Sequence, residues 1–155
     1  MSICPFYLGA KPPRYVSASP YREPARQQHS WNVGYRITDR STDGTAVYAP
    51  GIESWSHTLE RHLEGADCIF LDGTFWVHDE LRRLGASELY ASDMGHLPVA
   101  GPGGSAERFA NVPARRKVYV HINNTNPMLL EDSPERRTLT DLGIEIGFDG
   151  MEMEI

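Results

Sequence analysis

The sequence predicts an α/β chain, with helices interleaved among strands. Three observations carry that expectation. The hydrophobic period switches repeatedly between two and about 3.6 residues. Two compact apolar runs, "CIFLDG" and "KVYVH", are separated by segments of helical pattern. Glycine, proline and Ser/Asp caps punctuate the chain where helices should begin and end.

Residues 1–30 contain "GAKPPRYVSASPYREPARQQHS", which has several prolines and no sustained period, and read as an irregular Pro-rich N-terminal arm. The folded part is expected over 31–155. In "WNVGYRITD", Trp31, Val33, Tyr35 and Ile37 alternate with smaller or polar residues, the pattern of a half-buried strand. "RSTDGT" reads as a hairpin turn with Asp43-Gly44 at positive φ, and "TAVYAPG" as the returning strand. "SHTLERHLEGA" places Leu59 and Leu63 on one helical face, and Gly65 near its end. "CIFLDG" is a strand, "HDELRRLG" a short helix ending at Gly85, and "ASELYASDMGHLPVAGPGG" a long loop. "SAERFANV" is a third helix with Ser105 as its expected N-cap. After the strand "KVYVH", "DSPERRTLTDLG" has Ser133 as N-cap, Pro134 in the first turn and Gly143 past the end. "IEIGFDGMEMEI" reads as two short strands around the turn Asp149-Gly150.

Composition narrows the function classes. Hydrophobic residues make up 40% of the chain, enough for a packed core. A net charge of −6 argues against nucleic acid as partner. Cys4 and Cys68 are far apart, and Cys68 lies in an apolar run, so it reads as a buried free thiol. No run approaches the length needed to span a bilayer, and the N-terminus lacks the pattern of a secretion signal. The expectation is a cytoplasmic protein with no membrane partner.

Ligand-type residues end both apolar strands, Asp72 after "CIFL" and His121 after "KVYV". If the strands are parallel neighbours, both side chains reach one sheet edge, where an aspartate and an imidazole suit zinc or iron. His96, in "DMGHLP" between them, is a candidate proton carrier. Each has a plainer reading. Asp72-Gly73-Thr74 serves equally as an Asx-type turn, His121 as a structural histidine bonded to its loop, and His96 as a surface residue. His29, His57, His62 and His78 read as solvent-facing, because none has a ligand-type partner at i+4.

"LDGTFW", "MGHLP", "HINNTNPMLLEDSPER" and "FDGMEMEI", in this order and spacing, resemble the C-terminal half of the pyrroloquinoline quinone (PQQ) biosynthesis B family. That family has the metallo-β-lactamase fold. The resemblance runs from about Trp31 to Ile155. It implies half of an αββα sandwich, a mixed sheet with helices on its outer face. It places Asp72 where these proteins carry a metal-bridging aspartate, and His121 where they carry the last metal-binding histidine. His96 falls where the related tRNA 3′-processing endonucleases (RNase Z) carry a histidine that assists proton transfer. Asn123 and Asn124 become substrate-binding or supporting groups. The implied activity is a metal-dependent hydroxylation, with iron or zinc, of the tyrosine in a Glu-Tyr-derived PQQ precursor.

The first half of such proteins carries a His-x-His-x-Asp-His motif, and this sequence contains no H-x-H or D-H pair. The chain therefore resembles half a site, completed by a separate N-terminal half or by a homodimer mate. An uncovered sheet face, exposing Val33 and Tyr35, is the expected consequence. Two alternatives remain: a non-enzymatic or inactive half-domain that binds a PQQ precursor or a partner, and an RNase Z-like metallohydrolase, which the acidic charge disfavours.

Overall fold

The computed structural model describes residues 1–11 and 31–155. Six strands form one sheet in sequence order. They are β1 (Ser2–Gly9), β2 (Asn32–Thr38), β3 (Thr45–Ala49), β4 (Cys68–Asp72), β5 (Arg116–Val120) and β6 (Glu145–Ile146). β1, β2 and β3 pair antiparallel, while β3 to β6 run parallel. Among the described residues, four short helices join them: α1 (His57–Leu63), α2 (Glu80–Arg83), α3 (Ala106–Ala110) and α4 (Pro134–Asp141). This is the α/β layering that the alternating periods predict, in the form of the mixed sheet with helices that the resemblance implies.

Strand alternation sorts the sheet into two unlike faces. One carries Phe6, Leu8, Val47, Ala49, Ile69, Leu71 and Tyr119, which pack with Leu59, Leu63, Phe109 and Leu139 from the helices into a single core. The register puts Ile3, Tyr7, Val33, Tyr35, Tyr48 and Phe70 on the other face. Ile3 and Tyr7 are each 60% exposed, and Tyr35 and Tyr48 each 40%. The described helices cover one side of the sheet and leave part of the opposite apolar side open, while Ala46, Cys68 and Val118 on that side are buried. Among the described residues, no helix is long and apolar enough to cross a membrane.

Local chemistry explains the helix ends. The Ser56 hydroxyl accepts from Leu59 N, and the Ser133 hydroxyl accepts from Arg136 N. Gly65, Gly85 and Gly143 follow α1, α2 and α4 at positive φ, as helix-terminating glycines do. In the β2–β3 turn only Asp43 takes positive φ, and Gly44 does not.

Three expectations need correction. The segment 1–30 is not irregular throughout: residues 2–9 form β1, which pairs along nearly all of β2. Its Phe6 and Leu8 bury while Ile3, Pro5 and Tyr7 stay exposed, an alternation masked in the sequence by the Pro-rich stretch after it. Residues 12–30 of the proposed arm, with His29, lie outside the described residues. Ser105 precedes α3, but its hydroxyl makes no cap bond. It pairs instead with the Tyr119 hydroxyl at 2.8 Å. The C-terminus forms one strand, β6, and no second strand after the Asp149-Gly150 turn. Arg115 donates to Glu154 O and Thr42 donates to Ile155 O, so side chains rather than a ladder hold this tail.

Candidate metal centre

β4 and β5 are parallel neighbours, and Asp72 pairs with Val120 in register. Asp72 and His121 therefore stand at the same, carboxyl-terminal sheet edge. Two features turn the His121 ring toward Asp72. His121 has φ 55°, a left-handed conformation uncommon for a residue with a side chain. The Thr74 hydroxyl lies 2.9 Å from the His121 carbonyl, and Asn123 N donates to Thr74 O at 3.0 Å. Asn126, 2% exposed, donates from its side-chain amide to Gly73 O at 3.0 Å and to Thr74 O at 3.4 Å. The loop after β5 is thus stitched to the Asp72-Gly73-Thr74 corner.

His96 reaches the same point from the loop between α2 and α3. A 3₁₀ turn (Ser92–Met94) ends at Gly95, which has φ 82°. His96 N then donates to Ala91 O at 3.0 Å, and Leu97 N donates to Ile52 O at 2.7 Å. Asp72 Oδ2 lies 2.7 Å from His96 Nδ1 and accepts from Ile52 N at 3.0 Å. Its other oxygen, Oδ1, accepts from Thr74 N at 3.1 Å and from the Thr74 hydroxyl at 2.6 Å, and lies 3.7 Å from His121 Nδ1. The two imidazoles stack with centroids 5.3 Å apart.

The sequence offered Asp72 as ligand or Asx-turn residue, and the Thr74 N bond is an Asx-type bond made while the carboxylate also faces both histidines. His96 is not a bystander on the surface; it is the nearest imidazole to Asp72. Thr74 was passed over as a site residue, although its place two after Asp72 in "DGT" was a usable signal. Asn123 is turned into its own loop, its amide bonded to Thr125, which in turn donates to the buried Glu80. Asn124 is exposed.

Electrostatics follow the geometry. Burial alone would raise the Asp72 pKa, but the neighbouring His121 imidazole and the hydrogen bonds with His96 and Thr74 outweigh it and hold the carboxyl below its ordinary range. The neighbouring Asp72 carboxylate raises the His121 pKa, against the opposing effect of partial burial. Asp72 is fully buried, and its ion-pair partners among the described residues are these two imidazoles. One donor atom from each of Asp72, His96 and His121 falls within a group spanning no more than 4.8 Å. A carboxylate with two imidazoles is a donor set that zinc and iron accept, and three protein ligands is the usual number for a catalytic zinc.

Beside His121 opens a cleft of about 770 Å³ on the uncovered side of the sheet. Tyr48, Phe70, Val120, Ile122, Leu129 and Phe148 give it a mostly apolar wall.

Comparison with known proteins agrees with the fold. A family model described as a β-lactamase superfamily domain matches residues 12–122. The chain is 48% identical over 141 residues to coenzyme PQQ synthesis protein B of Cupriavidus taiwanensis, covering 90% of this chain and 46% of that protein. It is 42% identical over 156 residues to the protein of the same name from Pseudomonas entomophila, covering 100% of this chain and 52% of that one. The crystal structure of Zn(2+)-bound PqqB from Methylobacterium extorquens superposes with a TM-score of 0.85 at 30% identity, over 99% of this chain and 50% of that chain. The chain spans about half the length of the curated relatives it matches. By its matched residues, its mixed sheet and its place among these relatives, the chain belongs to the β-lactamase superfamily.

Proposed function

We propose that this chain serves PQQ biosynthesis as a metal-binding half of a B-type synthesis protein. The observation that carries the reading is the convergence of Asp72, His96 and His121 from three separate segments, with donor atoms within 4.8 Å of one another. Similarity to coenzyme PQQ synthesis proteins supports the pathway. In this reading Asp72 and His121 hold the metal and His96 completes the donor set, or carries a proton when its ring turns from Asp72.

The finer proposal is hydroxylation of the tyrosine of a Glu-Tyr-derived precursor. With dioxygen as the oxidant and oxygen source, a bound iron would supply the redox chemistry for placing oxygen on an aromatic ring. The chain's own part is to seat the ring. The cleft beside His121 offers Tyr48, Phe70 and Phe148 as aromatic walls. Asn124, exposed just beyond the site, is the better placed of the two asparagines to bind a polar group, because Asn123 is spent on Thr125. The open sheet face supports a further element: a segment equivalent to the remaining half of the relatives, or a second copy, packs there and completes the metal's surroundings. We place the protein in the cytoplasm, where such a precursor would be modified.

The test is metal content after reconstitution with Fe(II) or Zn(II), compared across the parent, Asp72→Ala, His96→Ala and His121→Ala. Near-stoichiometric metal in the parent, lost in the variants, is the expected result. Background metal in all four would overturn the metal-dependent reading and favour a binding module built on the cleft alone.

A further inference from the structure

We propose that the C-terminal tail, residues 148–155, is a strap that crosses the open sheet face, walls the cleft beside His121 and is fastened at the far edge of the sheet by Thr42 and Arg115. The strap does not depend on the metal-binding reading above.

Fixed points at both ends define the path. Gly147 N donates to Tyr119 O at 2.8 Å, near the carboxyl-terminal end of β5. A Cβ on Gly147 would lie 3.0 Å from Val120 Cγ1 and 3.5 Å from Val118 Cγ1. The chain then reverses, with Met151 N donating to Phe148 O at 3.1 Å and Gly150 at φ 84°. It ends at the opposite, amino-terminal edge of the parallel strands. There Arg115 donates from Nη2 to Glu154 O at 2.6 Å, and the Thr42 hydroxyl donates to Ile155 O at 3.1 Å. Arg115 directly precedes β5, and Thr42 sits in the turn before β3. A hairpin partner of β6 would run beyond the sheet's edge, four strand spacings or about 19 Å from β3. The tail therefore crosses β5 and β4 instead of lying beside β6. It does so on the open face, because Phe148 and Met151 line the cleft with Tyr48, Phe70 and Val120.

Burial along the tail fits this path. Met151, Met153 and Ile155 are half-buried, while Glu152 and Glu154 are exposed. That is the period of an extended chain with one side on an apolar surface. Cys68, the first residue of β4, lies between the two anchors in the order of the strands and is 1% exposed. Ala46, its partner on β3, and Val118 on β5 are buried on the same face. The helices pack on the other face, and among the described residues the tail is the segment whose path crosses these three.

The fastening is light. Two side chains hold the last two carbonyls, and among the described residues no strand ladder holds the tail. The thioethers of Met151 and Met153 adapt to the surface beneath them without a fixed shape. A segment held this way opens locally at a lower cost than the sheet it covers. When it lifts, the cleft loses its Phe148–Met151 wall and the face around Cys68 is bared in the same movement. The anchors at one edge of the sheet thus control the cleft at the other, and whatever covers the open face must displace the strap or build on it.

The first measurement is methyl NOE spectroscopy of the full chain with labelled methionine methyls, Met153 being assigned through Met153→Leu. The expected result is contact between the Met153 methyl and protons of Cys68 or Val118; its absence overturns the proposal without any anchor variant. The second is the rate at which Cys68 reacts with N-ethylmaleimide, in a Cys4→Ser background. Two variants release the strap by different means. Arg115→Met removes one anchor. Gly44→Ala adds a Cβ that overlaps the Ile155 backbone, and the φ of Gly44 is not positive, so the turn itself admits alanine. Each should speed the reaction by about 2–10-fold, the effect of one hydrogen bond on a local opening. The Arg115 charge favours the Cys68 thiolate, so its loss alone would slow the reaction, and acceleration reports opening. Parent-like rates in both variants, or acceleration only in proportion to a lowered melting temperature, would overturn the proposal. If neither variant folds, the NOEs of the parent still decide.

Discussion

Asn126 does more for the site than its neighbours in "NNTNP". Its amide nitrogen closes onto the Gly73 and Thr74 carbonyls, and its Oδ1 accepts from Met128 N, capping the 3₁₀ turn at Pro127–Leu129. Truncation to alanine strips Gly73 O and Met128 N of their Asn126 partner, while Thr74 O keeps Asn123 N; a buried group left unpaired costs about 1–3 kcal/mol. The expected result for Asn126→Ala is a clearly lower melting temperature in the metal-free chain and weaker metal binding. His121 is the second residue under constraint. Its φ of 55° costs any residue with a Cβ about 1 kcal/mol or more relative to glycine. His121→Gly and His121→Ala lose the same imidazole, but the glycine variant should be the more stable by about 1 kcal/mol in chemical denaturation. Equal stabilities would mean that the left-handed conformation is not retained in the variants. Gly73 is constrained by space instead. A Cβ there would lie 2.9 Å from both Tyr119 Cβ and Met128 Cε, so Gly73→Ala should displace the corner that carries Asp72.

At the scale of elements, two serines that look alike in sequence do different work. Ser133 caps α4 through its hydroxyl, and Ser133→Ala should cost about 1 kcal/mol of stability. Ser105 spends its hydroxyl on Tyr119, whose phenol burial pushes far above its ordinary pKa. Ser105→Ala should therefore strand a buried phenol, at about 1–3 kcal/mol, while the double variant Ser105→Ala with Tyr119→Phe should lose less than the sum of the single ones. A strictly additive cycle would argue against that bond. β6, only two residues long, is tied to β5 by Arg116, which donates from Nε to Glu145 Oε1 at 2.8 Å. That bond lowers the Glu145 pKa, against a smaller opposing effect of desolvation. A depressed carboxyl contributes stability above its unfolded pKa and loses it as pH falls through the lower folded value. Stability should therefore fall on acidification below about pH 4.5, the ordinary value for a glutamate. Arg116→Met should flatten that limb only modestly, because the pair is partly exposed.

For the whole molecule, the dominant fact is the asymmetry of the sheet. Helices bury one face, while Ile3, Tyr7, Tyr35 and Tyr48 leave the other accessible and apolar. A patch of this kind is what an interface requires and what a lone soluble chain avoids. The chain should bind a hydrophobic dye such as ANS strongly, and Tyr7→Glu with Tyr35→Glu should reduce the fluorescence without lowering the melting temperature. Weak dye binding by the parent would mean that the face is already covered in solution. The cleft beside His121 opens on this same side, so whatever covers the sheet also shapes the site.

Local chemistry made much of this legible beforehand. Strand periods, the Ser133 cap with Pro134, and the glycines after α1, α2 and α4 depend on near neighbours in the chain, and they are where the pattern places them. So is the arrival of two ligand-type residues at strand ends, Asp72 and His121. β1 was missed because eight alternating residues carry little signal beside a Pro-rich stretch, and only the ladder with β2 reveals their register. The role of Ser105 was misread because a cap and a buried hydroxyl pair share the same local pattern. The grouping of Asp72, Thr74, His96 and His121 was beyond any local reading. It depends on β4 and β5 being parallel neighbours, on a left-handed φ at His121, and on a loop pinned to Ile52. Sequence determined which side chains were available for chemistry and where regular structure stops. Tertiary structure alone decided which of them meet, because contacts across 22 to 47 residues are set by sheet order and loop closure rather than by spacing.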